Sequence, residues 1–123
     1  MALRDKMLNS SAQFLDPGET AEAVFGGQTV SQYLFVLTGG VIFLAMNRYR
    51  IVVVTTRRVL VLDAGKLTMG KARGIVAELP RATQLGPASG VWHVIPVNGE
   101  RLHVHRRFFK DVRTADAALP AAT

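Results

Sequence analysis

The chain has three histidines, His93, His103 and His105. His103 and His105 are two residues apart, which puts both on one face of a strand and allows chelation of a metal ion. His93 is the natural third ligand, and its position can be counted. Asn98-Gly99 is the strongest hairpin signal in the sequence, a two-residue type I′ turn. Counting outward from it sets Val97 against Glu100, Ile95 against Leu102 and His93 against Val104. The other face then pairs Pro96 with Arg101, Val94 with His103 and Trp92 with His105. His93 therefore faces away from the other two, and no carboxylate stands at a ligand spacing. The expectation is two surface histidines on a strand and no metal site. Thr55, Thr56, Ser89 and the histidines form no nucleophile–base–orienter spacing. There is no phosphate loop and no G-x-G-x-x-G. The chain has no cysteine, so disulfides, thiolate metal sites and a cysteine nucleophile are excluded. These residues point to no enzyme and no cofactor.

Charge gives a different kind of candidate. Residues 1–47 carry two positive and four negative side chains, net −2, whereas residues 48–123 carry thirteen positive and five negative, net +8. Arg48, Arg50, Arg57 and Arg58 stand at the two ends of one predicted strand and are the candidates for an anionic headgroup or an acidic partner. Near an anionic membrane each such residue contributes about 1 kcal/mol. The plainer alternative is that they only solvate the strand ends. Arg101, Arg106, Arg107, Lys110 and Arg113 form a second basic group, with Trp92 and His105 available to stack on bases. Nucleic acid ranks lower, because Phe108 falls on a helix's core stripe and Trp92 suits packing.

Between the acidic and basic parts no charge occurs from Ala23 to Asn47. Its centre is apolar: Tyr33, Leu34, Phe35, Val36 and Leu37, then Thr38-Gly39-Gly40, then Val41, Ile42, Phe43, Leu44, Ala45 and Met46. These apolar residues, Ala45 apart, are the candidates for contact with a membrane or a partner protein. As a helix, Tyr33 to Met46 would reach about 21 Å, and Val30 to Asn47 about 27 Å, against about 30 Å of hydrocarbon. Three arrangements are open to it. It spans once, with the charge step placing residues 48–123 in the cytoplasm. It lies re-entrant or in the membrane plane. Or it turns at Thr38-Gly39-Gly40 as a β-hairpin in an oligomeric core. Spanning would carry the segment before it to the far side, away from the strands after it.

The elements that position these residues follow from periodicity. Residues 2–15 predict a helix with Leu3, Met7 and Phe14 near one face, stopped by Asp16-Pro17-Gly18. No basic and apolar pair of signal regions opens the chain. Glu22 to Val30 predicts a strand. Tyr49 to Asp63 reads as two β-branched runs around Thr55-Thr56-Arg57-Arg58. Both runs are apolar on both faces, so something must cover the second face. Asp63 to Gly74 predicts a loop, Ile75 to Leu79 a strand and Thr83 to Leu85 a further short strand. Pro96 implies an edge or a bulge. Arg106 to Leu119 predicts a helix with Phe108, Val112, Ala115 and Leu119 as its buried stripe.

This order resembles a pleckstrin-homology-like (PH-like) barrel. R-Y-R-I-V-V-V-T-T-R-R-V-L-V-L (48–62), A-E-L-P-R (77–81) and L-H-V-H-R-R-F-F-K-D-V (102–112) look like bacterial PH-like domain proteins, closest to small actinobacterial members. The resemblance covers residues 18–118 and departs from a simple domain in the apolar insertion. It implies a binding or scaffolding module without catalysis. The expected fold is mostly β (α+β): a small PH-like barrel or sandwich of 6–7 antiparallel strands with a C-terminal amphipathic helix. Residues 1–17 would be an N-terminal helix, 18–119 the domain with insertion 30–47, and 120–123 a tail. The expected role is a module at the cytoplasmic side of the cell membrane, an accessory subunit of a membrane-protein complex or a binder of anionic lipid. The alternative is a cytoplasmic, soluble homo-oligomer or protein binder using residues 33–46.

Overall fold

Val and Ile dominate residues 51–54 and 59–61, and β-branched side chains prefer the extended backbone. The computed structural model, which describes residues 3–29, 47–65, 70–86, 92–97 and 100–117, turns these runs into β2 (Tyr49–Thr55) and β3 (Arg58–Gly65). The other strands are β1 (Ala21–Gln28), β4 (Gly74–Pro80), β5 (Trp92–Val97) and β6 (Glu100–His105). Together they form one antiparallel sheet in the order β4-β3-β2-β1-β6-β5, curled into a half-barrel. Helix α1 (Leu3–Ser11) runs into a 3₁₀ turn at Ala12–Phe14. A second 3₁₀ turn, Arg106–Phe108, leads into α2 (Phe109–Ala117). The fold is mostly β with a helix at each end, as the patterning implies.

β2 is buried from Arg50 to Thr55 on both faces. Both helices supply cover, since each packs against β1. Met7 of α1 and Val112 of α2 are fully buried with Phe25, Ile51, Leu60 and Leu62. Each such side chain contributes roughly 1.5–3 kcal/mol relative to exposure. Arg4 holds the two helices together, its Nη2 donating to Asp111 Oδ1 at 2.6 Å and Oδ2 at 2.7 Å. The stripe of the last helix holds: Phe108, Val112 and Ala115 are buried, while Arg107, Lys110 and Arg113 are exposed. Leu119 lies outside the described residues.

The hairpin register holds at all six pairs, from Trp92↔His105 to Val97↔Glu100. β5 is an edge strand, which accommodates Pro96. Two expectations are corrected. β3 continues to Gly65, because Arg73 N donates to Asp63 O at 2.7 Å and prolongs the pairing. Residues 83–85 form no strand. The Leu85 and Gly86 amides instead donate to the two Asp116 carboxylate oxygens, both at 2.8 Å, and so serve the end of α2 rather than a ladder.

The apolar residues 33–46 and the Asn98-Gly99 turn lie outside the described residues. What flanks the apolar run is described. Gln28 pairs with Tyr49, and beyond them Thr29 N donates to Arg48 O at 3.0 Å. Arg48 N in turn donates to Thr29 Oγ1 at 3.0 Å. A single crossing would separate its two flanks by about 30 Å. These flanks are a hydrogen bond apart, so β1 does not lie across a membrane from β2.

Candidate functional site

β1 and β6 meet at one bridged pair, Gln28↔His103. Gly27 allows that approach: a Cβ there would stand 2.7 Å from Leu102 Cγ and 3.3 Å from His103 O. Residues paired across strands share a face, so the registers assemble a row across four strands: Tyr49, Gln28, His103 and Val94. Two residues further along β1 and β6 stand Gly26 and His105, the latter paired with Trp92. Gly26 offers no side chain, and a cavity of about 230 Å³ opens over the junction.

Gly26, Gly27 and Gln28 floor this cavity, and His103 and His105 rise from β6. Tyr49 closes it from the β2 side and Trp92 from the β5 side. Arg107 and Phe108 reach in from the 3₁₀ turn that follows β6. Trp92 and His105 pack edge to face, ring centroids 5.0 Å apart at 79°. Arg107 Cζ lies 4.8 Å from the Phe108 centroid, a cation–π contact. His105 Nδ1 accepts from Arg107 N at 3.1 Å and thereby caps the 3₁₀ turn. The neutral ring therefore carries its proton on Nε2. Burial pushes the His105 pKa down, and Arg107 and Arg106 push it further. Burial and Arg101 do the same to His103. No carboxylate lines the cavity among the described residues. His93 is elsewhere, its Nε2 donating to Leu85 O at 2.7 Å. Among the described residues no three His, Asp or Glu side chains converge for a metal.

The other end of the β1–β2 hairpin is filled. The Glu19 carboxylate is fully buried. Its Oε2 accepts from Thr55 Oγ1 at 2.6 Å and Arg58 Nε at 2.9 Å; its Oε1 accepts from Arg58 Nη2 and Asp16 N, both at 2.9 Å. Thr55 Oγ1 also accepts from Arg57 N and Arg58 N, both at 3.1 Å, which shapes the Thr55–Arg58 turn. The Arg58 side chain holds the Glu19 pKa at about 2, against the opposing effect of burial.

The four arginines singled out in the sequence do not gather. Arg58 is engaged by Glu19. Arg50, which is buried, donates from Nη1 to Asp63 Oδ1 at 2.6 Å. Arg48 and Arg57 are exposed at opposite ends of β2. Sequence reasoning missed Glu19, which reaches Arg58 across 39 positions without any local signal. It placed Arg107 with Trp92 and His105 but missed Tyr49 and Gln28 as their neighbours. The β1–β2 register would have found Tyr49, but the β1–β6 junction has no local signature. No protein-family model, curated protein or solved structure matches this chain.

Proposed function

We propose that the chain is a non-catalytic binding or scaffolding module held at the cytoplasmic face of a membrane. It serves there as an accessory subunit of a membrane complex or as a binder of anionic lipid. Kinship with PH-like domain proteins belongs to this reading, supported by the order of six strands and a closing helix. The observation that carries it is the Thr29–Arg48 stem. The uncharged run leaves and rejoins the sheet at one point, so it enters an apolar phase or a partner from one side. Tyr33 to Leu37, Val41 to Leu44 and Met46 make that contact. Exposed Arg48 stands at the foot of the stem, where a cation meets anionic headgroups. The net charge of +6 suits the anionic lipid of a cytoplasmic leaflet.

Cell fractionation tests this. The protein should pellet with membranes and resist a high-salt wash, and a variant lacking residues 30–46 should move to the supernatant. A full-length chain found only in the soluble fraction overturns the reading. A second reading, self-association through residues 33–46, draws on the same stem, since paired strands can continue into a hairpin that turns at Thr38-Gly39-Gly40. It requires a multimer in light scattering without detergent.

A further inference from the structure

The cavity at the β1–β6 junction concerns different residues from the membrane reading and does not depend on it. Its chemistry is mixed in a specific way. The two long walls are aromatic, Tyr49 on one flank and Trp92 on the other. The floor between them is Gly26, Gly27 and Gln28. Among the described lining residues the guanidinium is that of Arg107, with two imidazoles beside it.

We propose that this cavity binds a small carboxylate carried on a flat ring. The ring lies beside Gln28, over Gly26 and between Tyr49 and Trp92, and the carboxylate meets Arg107 and the His103 and His105 imidazoles. Aromatic walls favour a flat body through offset or edge-to-face stacking. A guanidinium matches the planar geometry of a carboxylate. At 230 Å³ the cavity admits a single-ring acid and excludes large ligands.

The groups facing the two imidazoles give the pH behaviour its sign. β2 contributes Tyr49, and β1 and β5 contribute nothing ionisable. β6 contributes Arg101, and the 3₁₀ turn contributes Arg106 and Arg107. Arg4, Asp5 and Asp111 line a neighbouring groove beyond Phe108, where Arg4 pairs with Asp111. In the free protein the arginines and burial disfavour protonated imidazole. A bound carboxylate opposes the arginines, so binding takes up protons and tightens as pH falls.

The test is an NMR titration of the three histidine rings with benzoate. His93 serves as the internal control, because it lies on the opposite face of the hairpin and bonds to Leu85 O. Benzoate up to ~10 mM, the range suited to so small a ligand, should shift His103 and His105, raise both their titration midpoints and leave His93 unmoved. Affinity should rise by ~threefold or more from pH 8 to pH 6, an effect worth a fraction of one pKa unit per imidazole. Arg107→Gln, at an exposed position, should weaken binding ~tenfold, the loss of one charge-assisted pair, while the melting temperature falls no further than in Arg4→Ala. Three silent histidines, or a His93 that moves as far as the others, would overturn the site. Benzamide binding as well as benzoate would remove the charge from the proposal. Acetate or inorganic phosphate matching benzoate would remove the ring. Membrane association with silent histidines defeats this inference alone, whereas shifted histidines in a soluble protein defeat only the membrane reading.

Discussion

The two ends of the β1–β2 hairpin use polar groups in opposite ways. At the Thr55 end, one buried carboxylate accepts from Thr55, from Arg58 twice and from the Asp16 amide. That end is closed, and its polar atoms serve the fold. At the Tyr49 end, two histidines, a tryptophan, a tyrosine and an arginine surround a cavity floored by Gly26, Gly27 and Gln28. The difference teaches that a motif's chemistry is set by what reaches it from afar. Thr55-Thr56-Arg57-Arg58 looked like a basic rim, yet Glu19 makes it a structural clasp. His103 and His105 looked like plain surface residues, yet the single β1–β6 bridge gives them a cavity.

The largest expected effect lies at the closed end. Glu19→Ala leaves Arg58 without its buried partner and should cost about 3–5 kcal/mol, read from the urea midpoint. A cost below about 1 kcal/mol would erase the contrast between the two ends, since that is what an exposed pair contributes.

The same carboxylate sets an acid limit. Its folded pKa, about 2, lies below its ordinary value of 4.5, so its contribution is fully present above pH 4.5 and is lost as pH falls toward 2. That loss should be on the order of 3 kcal/mol in denaturation curves taken across this window, and Glu19→Gln should remove that dependence. An unchanged slope in Glu19→Gln would assign the acid limit to other carboxylates.

At the junction between β1 and β6, Gly27→Ala puts a methyl 2.7 Å from Leu102 Cγ, and Leu102 is itself fully packed. Overpacking of this kind costs about 1–3 kcal/mol, measurable by thermal melting. Because the clash sits under the cavity floor, the variant should also weaken any response of His103 and His105 to benzoate. A melt unchanged from wild type would show that the two strands have room to separate.

The smallest effects belong to exposed cations. Arg4 is half exposed in its pair with Asp111, and Arg4→Ala should cost no more than about 1 kcal/mol. Arg107→Gln removes a cation–π contact with Phe108 and should likewise cost about 1 kcal/mol or less. If Arg107→Gln destabilised the protein as much as Glu19→Ala, the open end would be structural as well.

Local pattern carried most of the fold. The Asn98-Gly99 turn fixed six cross-strand pairs by counting, and two β-branched runs fixed β2 and β3. The stripe through Phe108, Val112 and Ala115 fixed the buried side of the last helix. Local pattern failed where a partner came from a distance. Leu85 was read as strand because its amide's acceptor, Asp116, lies 31 positions away. The cavity was half legible: Trp92 and His105 followed from the hairpin, but Tyr49 and Gln28 join them only through a strand crossing that a glycine permits.

The Thr29–Arg48 stem has a consequence for how the chain is wired. The ladder between β1 and β2 runs from Ala21↔Thr55 to Gln28↔Tyr49, with one register shift between Ala21 and Ala23, and closes with the two Thr29–Arg48 bonds. None of those bonds passes through residues 30–47. In wiring terms the excursion is a branch hung on a finished hairpin, and a two-residue Asn-Gly turn could join Thr29 to Arg48 in its place. Closing a loop of two residues instead of eighteen recovers about 2 kcal/mol of chain entropy at roughly 0.6 kcal/mol per halving. The intact chain forgoes that gain, and the bonds that close β1 on β2 stand on either side of the uncharged segment.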